Sequence, residues 1–291
     1  MAIVELLADS TALFVILAVL LGLIVGSFLN VVIHRLPLMM EREWRTQCAE
    51  LLGQPTADGE QPPTLNLWRP RSRCPHCGHL ISAVENIPLL SYLLQRGRCA
   101  HCNAPISIQY PLVEAVSGLL AGVVAWKLGF GWPAAAALIF TWTLLAASVI
   151  DFRHQLLPDD LTLPLLWLGL GVALFGLFAD LPSAVIGAMA GYLALWLVYQ
   201  AFRLLTGKEG MGFGDFKLLA ALGAWTGWPY LITIIILSSL VGAAFGLALI
   251  LLRQRDRQIP MPFGPFLAAA GWIALLWGES INATYLRWLG G

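Results

Sequence analysis

Charge is scarce in this sequence. Only 12% of its 291 residues are Asp, Glu, Lys or Arg, against roughly 25% in an ordinary soluble domain, which excludes a soluble chain with a normal surface. Neither sign dominates: 17 basic residues balance 17 acidic ones, so no global basic field favours nucleic acid as a partner. No glycine-rich G-x-G-x-x-G fingerprint of a dinucleotide-binding fold occurs. Cysteine is limited to five residues, four of them between positions 74 and 102, where a pair of disulfides is the alternative to a metal site. What fills the chain instead is apolar: 58% hydrophobic residues and a mean hydropathy of +0.76. The fold class expected is an all-α polytopic membrane protein.

A spanning helix needs about 20 mostly apolar residues. Candidates lie at 11–33, 109–128, 132–150, 161–179, 183–203, 229–252 and 263–281, with a short eighth at 215–227. The apolar run behind MAIVELLADS exceeds a signal peptide's core of ~7–15 residues, so helix 1 is expected to be retained. Fifteen of the 17 Lys and Arg fall in four loops, 34–108, 151–160, 203–217 and 253–257, leaving Lys127 and Arg287. With eight spans these four loops share one side, which the positive-inside rule makes cytoplasmic. Both termini are then expected to be periplasmic. The domains expected are 1–36 as the first transmembrane helix, 37–108 as a cytoplasmic loop domain and 109–291 as a transmembrane core.

Few carboxylates sit at the edges of apolar segments on the cytoplasmic side. Asp151 ends one helix in SVIDFRHQLLPDD and Asp215 opens another in GMGFGDFKLL, while Asp159 and Asp160 follow Pro158 as helix caps. Gly210, Gly212 and Gly214 give the stretch before Asp215 an unwound, closely approachable backbone. Carboxylates in apolar surroundings are costly and tend to be paired or functional. Two of them could share a proton and hold one water, as in aspartic proteases. The same residue types would serve a proton-coupled transporter as a relay.

The loop sequence RSRCPHCGHLISAVENIPLLSYLLQRGRCAHCNAP carries Cys74, Cys77, Cys99 and Cys102. Two C-x-x-C turns at this separation match a four-thiolate zinc site, and a cytoplasmic loop keeps thiols reduced. With four sulfur ligands the ion would be structural. His76, His79 and His101 are then surplus, and Cys48 is a free thiol. The basic RPRSR at 69–73 suits anionic lipid at the cytoplasmic face better than nucleic acid, and a zinc-bearing membrane scaffold is a further reading.

Taken in order, GSFLNVVIHRLP at 26–37, DFRHQLLPD at 151–159 and GFGD at 212–215 followed by FKLLAALGAW resemble the type IV prepilin leader peptidases, bacterial inner-membrane enzymes of the GxGD aspartyl protease class. The resemblance runs over almost the whole chain. It implies Asp151 and Asp215 as the catalytic pair, cutting the basic leader from prepilins and pseudopilins at the cytoplasmic membrane face. It also implies methylation of the new N-terminal amine with S-adenosylmethionine, an activity the family associates with the cysteine loop.

Helix ends suggest a division of labour. Asp215 at a helix N-terminus favours the anion, and Asp151 at a C-terminus disfavours it. For the methyl donor, Ser27, Asn30 and His34 share one face of helix 1 near its cytoplasmic end, with Glu85 and Glu114 as further candidates. Gly22 with Gly26, Gly118 with Gly122, Gly187 with Gly191 and Gly242 with Gly246 read as close helix packing. Residues 38–52 read as a separate interfacial helix, 53–66 as a polar linker, and Trp225 and Trp228 as interface anchors.

Overall fold

A computed structural model describes residues 2–53, 65–253 and 261–290. Most of the linker, and Arg255 and Arg257 of the last basic loop, lie outside these. The helices are α1 (Ala2–Asp9), α2 (Thr11–Leu51), α3 (Leu90–Leu94), α4 (Gln109–Leu128), α5 (Trp132–His154), α6 (Asp159–Ala173), α7 (Leu181–Thr206), α8 (Phe213–Thr226), α9 (Leu231–Arg253) and α10 (Gly264–Gly290). Among the described residues the only β pairing is two isolated bridges in the cysteine loop. The fold is an all-α, multi-pass membrane protein. Six helices, α2, α4, α5, α7, α9 (with the 3₁₀ turn before it) and α10, are long and apolar enough to cross a membrane. The two remaining expected spans are α6, with 15 residues, and α8, with 14, both short of the ~20 that a crossing needs.

The chain divides into two compact units, Met1–Phe130 and Gly131–Gly291. Helix α4 falls in the first unit, against α2. The reason is the glycine pairs. A Cβ on Gly22 would sit 2.8 Å from the Ala121 Cβ, and one on Gly26 2.8 Å from the Glu114 Cα. The Ser117 hydroxyl donates to the Gly22 carbonyl at 2.5 Å, a polar tie of the kind close approach in a membrane permits.

Helix α2 is one element of 41 residues, so the separate interfacial helix expected at 38–52 is its continuation through Pro37. A helix-interior proline costs about 3 kcal/mol. Burial of Ile33, Leu36 and Pro37 offsets this, and the Arg35 guanidinium ties the same turn down. It donates to the carbonyls of Asn66 (2.9 Å), Leu67 (3.4 Å) and Pro70 (2.7 Å).

In the second unit α8 is buried on nearly every side, Asp215 to Thr226 apart from Lys217. A helix apolar all round is a core helix. Gly187 of α7 lies against the Gly223 carbonyl, and a Cβ on Gly191 would meet the Leu219 carbonyl at 2.6 Å, so this pair does bring backbones together. Gly242 and Gly246 instead face the side chains of Phe266 and Met261. Trp225 is no interface anchor: it is 2% exposed, packs on Gly169 and donates from Nε1 to the Leu165 carbonyl at 2.8 Å. Trp228 is exposed.

Candidate active site and metal centre

The cysteine loop of the first unit folds as two matching turns. The Gly78 N–H donates to the Cys74 carbonyl at 2.9 Å and the Asn103 N–H to the Cys99 carbonyl at 3.0 Å. Both fourth-following residues are left-handed, Gly78 at φ 72° and Asn103 at φ 57°, a conformation glycine takes freely and asparagine tolerates. The Cys74 and Cys99 amides close each turn on the His79 and Ala104 carbonyls, at 2.9 and 2.8 Å.

The turns bring all four sulfurs within 4.8 Å of one another. Backbone hydrogen bonds from Cys77 and His76 draw the Cys74 thiol down to about 7. At Cys102 the Ala104 backbone pulls down, yet burial and three neighbouring sulfurs push the thiol up to about 12. Four thiolates this close therefore need a cation among them, and the donor set fits a metal ion. The histidines are outside it. His79 Nε2 meets the Glu85 carboxyl at 3.2 Å and its ring stacks on His101. Glu85 is held below the usual carboxylate range, chiefly by the Ser82 N–H.

In the second unit, Asp151 occupies the last turn of α5 and Asp215 the third position of α8. Both are buried, and Asp215 feels the charge of Asp151. Leu157, in the connection after α5, packs against Gly214 and against Gly264. Gly264 opens α10 and donates its N–H to Asp151 Oδ2 at 3.0 Å. A Cβ there would lie 2.6 Å from that oxygen, and one on Gly214 would lie 2.7 Å from the Leu157 Cβ. Asp215 Oδ1 is buried and has no hydrogen-bond partner among the described residues.

This geometry removes the expected helix-end contrast, because Asp151 ends α5 but also caps the N-terminus of α10. Both carboxyls thus meet a positive helix end. It also corrects the reading of the glycine run. Gly212 is the N-cap of α8 with open space at its Cβ position, whereas Gly214 is already helical. Asp159 is not a cap, since Pro158 holds that position, and its carboxylate takes Lys217 Nζ at 2.7 Å. Gly264 and Leu157 were not among the residues singled out from the sequence. The signal available for Gly264 was Gly-Pro before an apolar run, a helix start with unspent N–H groups.

Of the residues expected to hold the methyl donor, Ser27 and Asn30 meet α4 beside Glu114, while His34 lies exposed further along α2. Asn30 is buried and bonded to the carbonyls of Gly26 and Tyr110.

Comparison with known proteins gives two family matches. Residues 20–128 match the bacterial peptidase A24 N-terminal domain, and residues 138–247 match the type IV leader peptidase family. A protein of Stutzerimonas stutzeri named prepilin leader peptidase/N-methyltransferase is 58% identical over 284 residues, covering 98% of both chains. Proteins of the same name from Pseudomonas aeruginosa and Aeromonas hydrophila are 56% identical over 290 residues (100% of this chain, 99% of the relative) and 58% identical over 274 (94% of each). No solved structure matches the chain significantly.

Proposed function

Because the chain belongs to the type IV leader peptidase family, we propose that it removes the leader from prepilins and pseudopilins with Asp151 and Asp215 and then N-methylates the new N-terminal residue. The observation that carries the first activity is the pair of mutually interacting buried aspartates, one tied to Gly264, the other with an oxygen left for a ligand. One carboxylate removes a proton from a water held between them as that water attacks the scissile carbonyl. The other, protonated, donates to the developing oxyanion; the first then passes the proton it took from water to the leaving amine, while the second recovers its own from the gem-diol hydroxyl as the carbonyl re-forms. The Gly264 N–H fixes the Asp151 rotamer throughout, and Leu157 sets the spacing of the two glycine-bearing helix starts. Positioning of this kind is worth orders of magnitude in rate.

The loop charges support placing this face in the cytoplasm, with both termini periplasmic and the protein in the bacterial inner membrane. The basic segment 69–73 would then lie near anionic lipid. Cys74, Cys77, Cys99 and Cys102 would hold zinc, which supplies structure and, with four sulfur ligands, no position for a reactive water. S-adenosylmethionine would supply an electrophilic methyl group, and the α2 face carrying Ser27, Asn30 and His34 is where we assign its transfer. The fit rests on the polar groups this face adds to an otherwise apolar helix, the half-buried Ser27 hydroxyl and the exposed His34 ring.

The test is incubation of the purified protein with a prepilin and labelled methyl donor, in wild type and in Asp151→Ala, Asp215→Ala and Cys74→Ser variants. Both aspartate variants should leave the leader uncut while methylating a pre-cleaved substrate. Cleavage by either aspartate variant at the wild-type rate would overturn the assignment.

A further inference from the structure

Two acceptors in the first unit have no cation to face. Glu114 of α4 is 8% exposed. Its Oε2 accepts the Leu89 N–H at 2.8 Å, and the Ser27 hydroxyl lies between this carboxyl and Asn86 Oδ1, the latter at 3.3 Å. All these partners are neutral, and among the described residues no Lys, Arg or His forms an ion pair with Glu114. A carboxylate so buried is costly without a positive partner.

The second acceptor is Asn30, 4% exposed. Its Nδ2 donates to the Gly26 carbonyl at 3.2 Å and the Tyr110 carbonyl at 3.1 Å. Both neighbours are carbonyl oxygens, so only the NH₂ end of the amide can face them and the orientation is fixed. The Oδ1 end is buried without a donor. Tyr110 is one helical turn before Glu114, and a Cβ on Gly26 would nearly touch the Glu114 Cα, so both acceptors belong to the same level of the α2–α4 interface. A carbonyl oxygen without a donor beside a carboxylate without a positive partner calls for a ligand that brings N–H groups and positive charge; an ammonium brings three donors.

We propose that Glu114 and Asn30 form the subsite that holds the N-terminal ammonium of the cleaved product for methylation, an inference resting on the methyltransferase reading above. The methyl donor has an α-ammonium of its own. The surroundings favour the peptide's. Leu89, whose N–H Glu114 holds, and Ala115, the next residue, also line an apolar cleft of about 450 Å³ with Val19, Leu23, Gly118 and Trp126. A carboxylate at the rim of an apolar cleft suits an amine carried on an apolar segment.

The experiment measures binding to the full-length protein in detergent. One probe is a synthetic peptide with the apolar N-terminus of the cleaved product, free or N-acetylated; the other is S-adenosylhomocysteine. Wild type should bind the free-amine peptide roughly tenfold or more tightly than the acetylated one, the scale of a charge-assisted hydrogen bond. Glu114→Gln keeps an acceptor for the Leu89 N–H but loses the charge, so it should bind both peptides alike while S-adenosylhomocysteine affinity stays within about threefold. Glu114→Asp should restore part of the preference, and Asn30→Leu should reduce it. Persistence of the full preference in Glu114→Gln, or a loss confined to S-adenosylhomocysteine, would overturn the subsite. If wild type supplied with S-adenosylmethionine does not methylate the free-amine peptide, the methyltransferase reading itself fails, a result distinct from failure of the subsite alone.

Discussion

The Asp151 carboxylate, in the last turn of α5, is held by the backbone N–H of Gly264, the first residue of α10, across 113 positions of sequence and 3.0 Å of space. Asp215 lies in the first turn of α8, so each aspartate stands at a helix start. The second unit presents two carboxyls to two helix N-termini, with Leu157 wedged against the glycine at each.

A methyl group at position 264 would test this. In Gly264→Ala the new Cβ would fall 2.6 Å from Asp151 Oδ2, closer than any relaxed contact, so the carboxyl must turn or α10 must shift. Displacements on the order of 1 Å at a reacting group cost about 100-fold in rate. Cleavage kcat should therefore drop by about that factor with KM little changed, as steady-state kinetics on a prepilin peptide would read. An unaltered kcat would show that the hydrogen bond does not position Asp151.

The two aspartates should also fail as a unit. Asp151→Asn and Asp215→Asn each remove one half of a shared proton relay, so either change should reduce cleavage roughly 1,000-fold or more. The double variant should be little worse than the poorer single one, since residues acting together are grossly non-additive. Single-turnover assays of the three variants check this; losses that multiply would point to independent roles.

Much of this was legible in the sequence, and the illegible part has a pattern. Spacing alone brought Cys74, Cys77, Cys99 and Cys102 together, because each C-x-x-C is a local turn. Asp151 and Asp215 stood out because carboxylates are rare at apolar helix ends. Trp225 misled, since a one-dimensional pattern cannot tell a tryptophan at a membrane interface from one enclosed by α6 and bonded to the Leu165 carbonyl. Pro37 misled in the same way. Its helix continues because Arg35 is anchored by carbonyls about 30 residues away. For Gly264 the helix start was legible, but not the group it serves, Asp151, which is remote in sequence.

Lys217 lies two residues from Asp215, but its ammonium is engaged by Asp159 at 2.7 Å, with more than half of the aspartate side chain exposed. Exposed ion pairs contribute about 0–1 kcal/mol. Lys217→Ala should then lower stability by no more than about 1 kcal/mol in denaturant titration and change the cleavage rate by less than about threefold, a small fraction of the loss expected for the aspartates. A loss above tenfold would mean that this cation acts on the aspartate pair directly.

Metal retention should depend on pH with a definite sign. The metal takes thiolates, so binding releases protons and tightens as pH rises. In the metal-free loop the Cys74 thiol titrates near 7 and the Cys102 thiol only near 12, so at neutral pH the ion must displace protons from the cluster to complete its ligand set. Acidification restores those protons and expels the ion. Elemental analysis should find one metal ion per chain, and a chromogenic chelator should report its release as pH falls below neutral, with Cys74→Ser losing the ion at a higher pH than wild type. Because each cysteine turn is closed by a few backbone hydrogen bonds and one isolated bridge of its own, release should be accompanied by rapid proteolysis within residues 65–108. A loop that stays protease-resistant after the ion has left would show that its fold does not depend on the metal.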